Sequence, residues 1–291
     1  MIDLHERLSE FSYGYGVTRE VEGLLGSVGM RTAPFLPSLL HEGKVGFDVG
    51  FKKPGSVLLI QFKLGQLLRR FLRTDKNEPA PKLRRPFWRF TLNTAEPEGQ
   101  YETLLKAEQD GAEAYYVAPR FVDWSEYLAI FESGKVLEQS VMLRPSEVRD
   151  ALVKKGANDG WHRIVYDLDS IHVCSTPVRI TEVNPRDLVS IVSERVTTGS
   201  QSLAETLRQI FSGLENRRLV RRERITDPDE PEDMPSHFEP RDHIDMRAER
   251  TIRLSALRSR ARSEEDAIAA AVGIEAWSLG IQLILATPDS A

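Results

Sequence analysis

The chain has 291 residues, 41% hydrophobic and 29% charged, the balance of a globular protein rather than a disordered or fibrous one. A single cysteine, Cys174, excludes an intramolecular disulfide and a thiolate zinc cluster, and no basic start leads into an apolar run, so a cytoplasmic protein without a secretory leader is expected. The net charge of −5 rules out an overall basic coat but not a local basic patch.

The first predicted element is a helix over residues 15–29, where Val17, Val21, Leu24, Leu25 and Val28 follow the spacing of one helical face. Gly29 and the prolines at 34 and 37 end it. Val45 to Phe51 alternates in the manner of a strand, Lys53-Pro54-Gly55-Ser56 reads as a turn, and Val57 to Phe62 is an almost unbroken apolar run. Together they predict a hairpin whose second strand is buried. An aromatic strand (residues 86–92), a helix from Gln100 and a strand at Ala114–Ala118 follow. This order predicts an α/β protein with a mixed central sheet flanked by helices. A short helix after Asp123 and strands near 136–143 and 161–173 extend it.

From about residue 184 the pattern turns helical. An acidic, proline-bearing linker at 226–243 precedes a final helical region over 245–286. The predicted division is therefore 1–183 and a helical C-terminal region, 184–291. Ala267 to Ala286 carries a single charge, Glu275. A charge near the centre of such a stretch is costly in a bilayer, so a helix packed on its own domain or on a second subunit is expected. A homodimer or hetero-complex through this region follows, with Trp277 near the contact and no membrane association.

The chemistry-bearing residues cluster around the hairpin. With the turn centred between Pro54 and Gly55, Asp48 falls opposite Gln61, and Lys63 lies two positions along on the same face. A carboxylate, an amide oxygen and an ammonium would then converge, as a hard divalent cation requires. The first helix offers a third oxygen. At 100° per residue Glu20 lies about 80° from the centre of the apolar stripe and Glu22 about 120°, so Glu20 is preferred and Glu22 remains open.

In this order of elements (acid Glu20 on the first helix, Asp48 on a strand, then Gln61-Phe62-Lys63) the chain resembles the PD-(D/E)xK, restriction-endonuclease-like nuclease superfamily. The matching stretch runs from about Phe11 to Thr176. The resemblance implies a Mg²⁺- or Mn²⁺-dependent nuclease acting on nucleic acid, with DNA the expected substrate, and a role in defence against foreign DNA. Asp48, Gln61 and Glu20 would hold the metal, and Lys63 would orient water or offset charge at the phosphate. Gln61 stands where the superfamily usually has Glu or Asp, which removes a charge from the site. The alternative is the same fold used without catalysis, as a nucleic-acid-binding or assembly subunit.

The basic residues add to this picture. Between Lys63 and Arg89 nine Lys or Arg face only Asp75 and Glu78. Interleaved with Phe71, Phe87, Trp88 and Phe90, the arginines Arg69, Arg70, Arg73, Arg84, Arg85 and Arg89 are the expected phosphate contacts. A second basic run spans Arg217 to Arg224. Gln100 reads as a helix-start residue rather than part of the site, and His162 and His172 as packed strand residues.

Overall fold

The computed structural model describes residues 8–38, 45–73, 79–95, 99–174, 177–199, 201–215 and 246–289. In chain order the first elements are α1 (Glu10–Gly26), β1 (Met30–Pro34), β2 (Ser56–Phe62), β3 (Gln66–Leu68), β4 (Phe87–Asn93) and α2 (Gln100–Gln109). There follow β5 (Glu113–Pro119), α3 (Trp124–Glu132), β6 (Ser140–Leu143), α4 (Pro145–Lys154), β7 (Trp161–Tyr166) and β8 (Ile171–Cys174). The last are β9 (Val178–Ile180), α5 (Pro185–Thr198), α6 (Leu203–Glu215), α7 (Met246–Arg258), α8 (Glu264–Ser278) and β10 (Ile281–Pro288). The chain is an α/β protein with one mixed and one antiparallel sheet, each of five strands.

The first sheet has the order β1-β10-β2-β5-β6, with β2 and β5 parallel and the other neighbours antiparallel. Every residue of β2 and β5 is buried, which is why both read as continuous apolar runs. On one face Leu58, Ile60, Tyr115, Val117 and Ile284 pack against α1, α3 and α5. Helix α1 contributes its buried stripe of Tyr13, Val17, Val21 and Leu25, and Ser9 caps it by accepting from the Ser12 N–H. On the other face Val57, Leu59, Tyr116, Leu283 and Leu285 share a core with α2, α4, α6 and α8. That core also holds Trp88, Phe90, Ile164 and Tyr166 from the second sheet, whose order is β3-β4-β7-β8-β9.

Two expectations are corrected here. Residues 45–51 do not pair with β2. Val45 makes an isolated bridge with Ala261, Phe47 N–H donates to Asp266 Oδ1 (2.7 Å), and Gly50 N–H donates to Thr287 Oγ1 (3.4 Å). The edge of β2 that this segment was expected to take belongs to β10, in the register Gln61↔Ile281 through Ser56↔Ala286. Gly46 and Gly50 weaken the alternating segment as a strand, whereas Ile281-Gln282-Leu283-Ile284-Leu285 offers side chains to both cores.

The second correction follows from the first. The final helix ends at Ser278 and residues 281–288 are strand, so the C-terminal residues complete the first sheet rather than extend it. Helix α8 is itself buried along most of its length, so most of the apolar surface behind the expectation of a second subunit is covered by this chain, while Trp277 stays 40% exposed. No helix among the described residues is long and apolar enough to cross a membrane. The acidic stretch 226–243 and the basic run 217–224 lie outside the described residues.

Removing everything after Asp245 should therefore abolish folding. Ile281, Leu283, Ile284 and Leu285 are each at most 1% exposed and contribute about 1.5–3 kcal/mol apiece through burial. Their sum is comparable to the whole stability of a typical domain, about 5–15 kcal/mol. The truncated chain is expected to be insoluble, or to lack a cooperative thermal transition in circular dichroism. A soluble, cooperatively melting product would contradict the central position of β10.

Candidate functional site

At the C-terminal end of β2 the ladder continues one residue further, with Lys63 N–H donating to the Val117 carbonyl (2.9 Å). This fixes the backbone that carries both Gln61 and Lys63. The Lys63 ammonium donates to Gln100 Oε1 (2.9 Å) at the start of α2. Gln100 Nε2 in turn donates to the Leu279 carbonyl (2.7 Å), in the turn that leads into β10. Gly280, at φ +71°, closes over this group: a Cβ there would stand 3.5 Å from Gln61 Nε2. Gln61 is 2% exposed. Its Nε2 donates to the Phe62 carbonyl (3.0 Å), while its buried Oε1 has no hydrogen-bond partner among the described residues. Burial raises the Glu10 carboxyl above its ordinary value, and the charge of Lys63 pulls it down; Glu10 is thus the carboxylate that senses this lysine.

The structure brings together Gln61, Lys63 and Gln100, but neither Asp48 nor Glu20. Asp48 is exposed on the loop beside the opposite end of β2, its carboxylate paired with Arg262 at 3.3 Å. Gly50, two residues on, bonds Thr287, which adjoins the partner of Ser56. At about 3.3 Å per residue, the length of β2 puts Asp48 roughly 17 Å from the Gln61 end. Glu20 does lie toward the buried edge of its helix, as its angular position predicts, but it meets a different element. Its two oxygens accept from the Val136 and Leu137 N–H groups at 2.7 and 2.8 Å. Glu22 accepts from Thr32 Oγ1 (3.3 Å) and is raised by desolvation.

Among the described residues the end of β2 offers a buried neutral amide, Gln61, and an ammonium, Lys63, with the Glu10 carboxylate near enough to feel the lysine charge. No group of three or more His, Cys, Asp or Glu among the described residues is disposed to hold a metal. The Gln100 role had one sequence signal, its amide at the first position of a helix, but only the fold shows that this helix starts beside Lys63.

The basic segment is described as two stretches, 63–73 and 79–89, which run along β3 and into β4. Gly65 makes the passage from the first sheet to the second; a Cβ there would come within 2.4 Å of Tyr166 Oη. Leu68 pairs with Phe87, so continuing the register brings Arg69, Arg70 and Arg85 to one end of the β3–β4 pair. The flanks are anchored. Arg163 donates to the Leu72 carbonyl (2.7 Å) and lies 5.1 Å over the Phe71 ring. Arg84 pairs with Asp169 at 2.7 Å, and its N–H donates to Asp167. Arg89 donates to Gln66 Oε1 (2.6 Å). Arg69, Arg70, Arg73, Arg84 and Arg85 are exposed. Among the described residues no carboxylate pairs with Arg69, Arg70 or Arg85. No known family model matches the chain, and no curated protein or solved structure is significantly similar to it.

Asp167 is the anchor that pH can release. Burial raises its carboxyl, but N–H groups of Asp169, Arg84 and Ser170 and the Ser170 hydroxyl outweigh that and hold it below the usual range. A carboxylate with a lowered folded-state pKa stabilises fully above its unfolded value, about 3.9, and that contribution disappears as pH falls through the lowered value. The 79–85 stretch should gain protease sensitivity in that acidic window. Asp167→Asn, which keeps the shape but loses the charge, should show the same sensitivity at neutral pH. Equal cleavage of variant and parent at pH 7 would show that the anchor lies elsewhere.

Proposed function

We propose that the protein is a nucleic-acid-binding module on an α/β scaffold, with DNA as its polymer, rather than a metal-dependent hydrolase. The observation that supports this most directly is the anchored basic segment. Arg69, Arg70 and Arg85 gather at one end of a strand pair without compensating carboxylates among the described residues, although the whole chain carries an excess of acid. Like charges brought together at neighbouring positions repel one another, and phosphates relieve that repulsion while releasing counterions. Anchoring by Arg163, Asp167 and Asp169 means that little ordering entropy remains to be lost on binding.

The order of Glu20, Asp48 and Gln61-Phe62-Lys63 along the chain supports nucleic acid as the ligand through its resemblance to nucleases. The dispersal of Asp48 and Glu20 favours binding over cleavage. In this reading Lys63, held by Gln100, adds one more positive charge three residues before β3.

The test is DNA affinity in EDTA across a salt series, with a plasmid-nicking assay in Mg²⁺ and Mn²⁺ alongside. Neutralising Arg69, Arg70 and Arg85 to Gln should weaken binding regardless of sequence. It should also flatten the slope of log K against log salt by about 0.9 per lost contact. An unchanged slope would assign the patch to another partner. Metal-dependent nicking that Lys63→Ala abolishes would overturn the non-catalytic reading.

A further inference from the structure

A second surface, on the other core of the first sheet, is left uncovered by the described residues. Helix α3 has five large apolar side chains, Trp124, Tyr127, Leu128, Ile130 and Phe131, of which only Tyr127 is buried. It packs beside α1 through Tyr127, whose hydroxyl donates to the Ser12 carbonyl, and Tyr15 touches Phe131 with ring centroids 5.9 Å apart. The contact joins two exposed stripes into one shelf: Phe11 (75% exposed) and Tyr15 (59%) on α1, Leu128 (42%) and Trp124 (37%) on α3. Apolar residues scattered singly need no explanation, but a contiguous aromatic patch does. Its rim is acidic: Asp123, Glu126 and Glu132 are all exposed. Arg19 lies against it, stacked over Phe131 at 4.7 Å.

The basic segment is the counterpart of this shelf. It too exposes apolar side chains, Leu67 (42%) and Leu72 (59%), and these are set among Arg69, Arg70 and Arg73. We infer that the acid-rimmed shelf of one copy receives the arginine-flanked leucines of a second copy of this chain. Both surfaces are exposed within a single chain, so neither covers the other intramolecularly. Shelf against shelf would oppose acid to acid, and segment against segment would oppose arginine to arginine. Contact of either surface with its own kind is therefore disfavoured, and the shelf of one copy meets the basic segment of the other. It uses neither the C-terminal helix nor Trp277. The association does not depend on nucleic-acid binding; if DNA also uses the basic segment, the two compete.

Sedimentation velocity over a micromolar concentration series tests it. At low ionic strength the weight-average mass should rise with concentration above the 33.0 kDa of one chain, and added salt should return it to that value. The double variant Leu128→Lys/Glu132→Lys should stay at one-chain mass, and so should Arg69→Glu/Arg70→Glu. Both alter exposed positions, so unchanged circular dichroism is expected. Mixed in equal amounts, the two variants should associate again, since each then meets a surface of opposite charge. A parent chain that stays at 33.0 kDa at low salt, association that survives either variant, or a mixture that fails to associate would each overturn the inference. Failure of the parent chain to bind DNA would leave these results unchanged and would count only against the proposed function.

Discussion

The seat of β10 between β1 and β2 is the constraint on which the remaining architecture rests. Both of its edges are paired, and its side chains feed both cores, with Leu283 and Leu285 on one face and Ile284 and Ala286 on the other. Because β10 takes the β2 edge, residues 45–51 are displaced to the far end of that strand, where Asp266 and Thr287 collect their N–H groups. Because the turn before β10 passes the end of β2, the Leu279 carbonyl and Gly280 lie where they close over Gln61 and Gln100. One pairing choice thus decides both where the only acidic loop candidate goes and what surrounds the lysine.

Several elements were legible in the residues themselves. The stripe from Val17 to Leu25 marked α1, the apolar run 57–62 marked a fully buried strand, and Asp123 marked the start of α3, where it accepts the Glu126 N–H. These signals are local and survive without knowledge of the rest of the chain. What failed was partner choice. Alternation shows that a segment suits a strand, but says nothing of which edge it will occupy, and an adjacent hairpin is only the shortest solution. A competitor more than two hundred residues away, richer in β-branched and aliphatic side chains, displaced it. The same limit explains Glu20, whose orientation on the helix was readable while the turn it caps, at 136–137, was not.

Charge is handled differently in the interior and at the surface. Glu113, 1% exposed, receives Arg144 at 2.7 Å, Arg195 at 2.6 Å and the Tyr115 hydroxyl at 2.7 Å, so a buried carboxylate is fully engaged where β5 meets α4 and α5. Such pairing suits a group whose lone exposure to the core would be prohibitive. On the surface, ion pairs such as Arg84–Asp169, Arg208–Glu265 and Arg258–Glu264 stand beside Arg69, Arg70 and Arg85, which have no carboxylate partner among the described residues.

The late position of β10 in the chain also bears on how the protein is made. Ribosomes release β2 and β5 long before residues 281–288 emerge, so the nascent sheet carries an unpaired apolar edge for most of synthesis. Closure of that edge joins residues far apart in sequence, from Ile281↔Gln61 to Ala286↔Ser56, and contacts of high sequence separation form slowly. Until β10 arrives, the edge of β2 is open to pairing with any other strand that meets it.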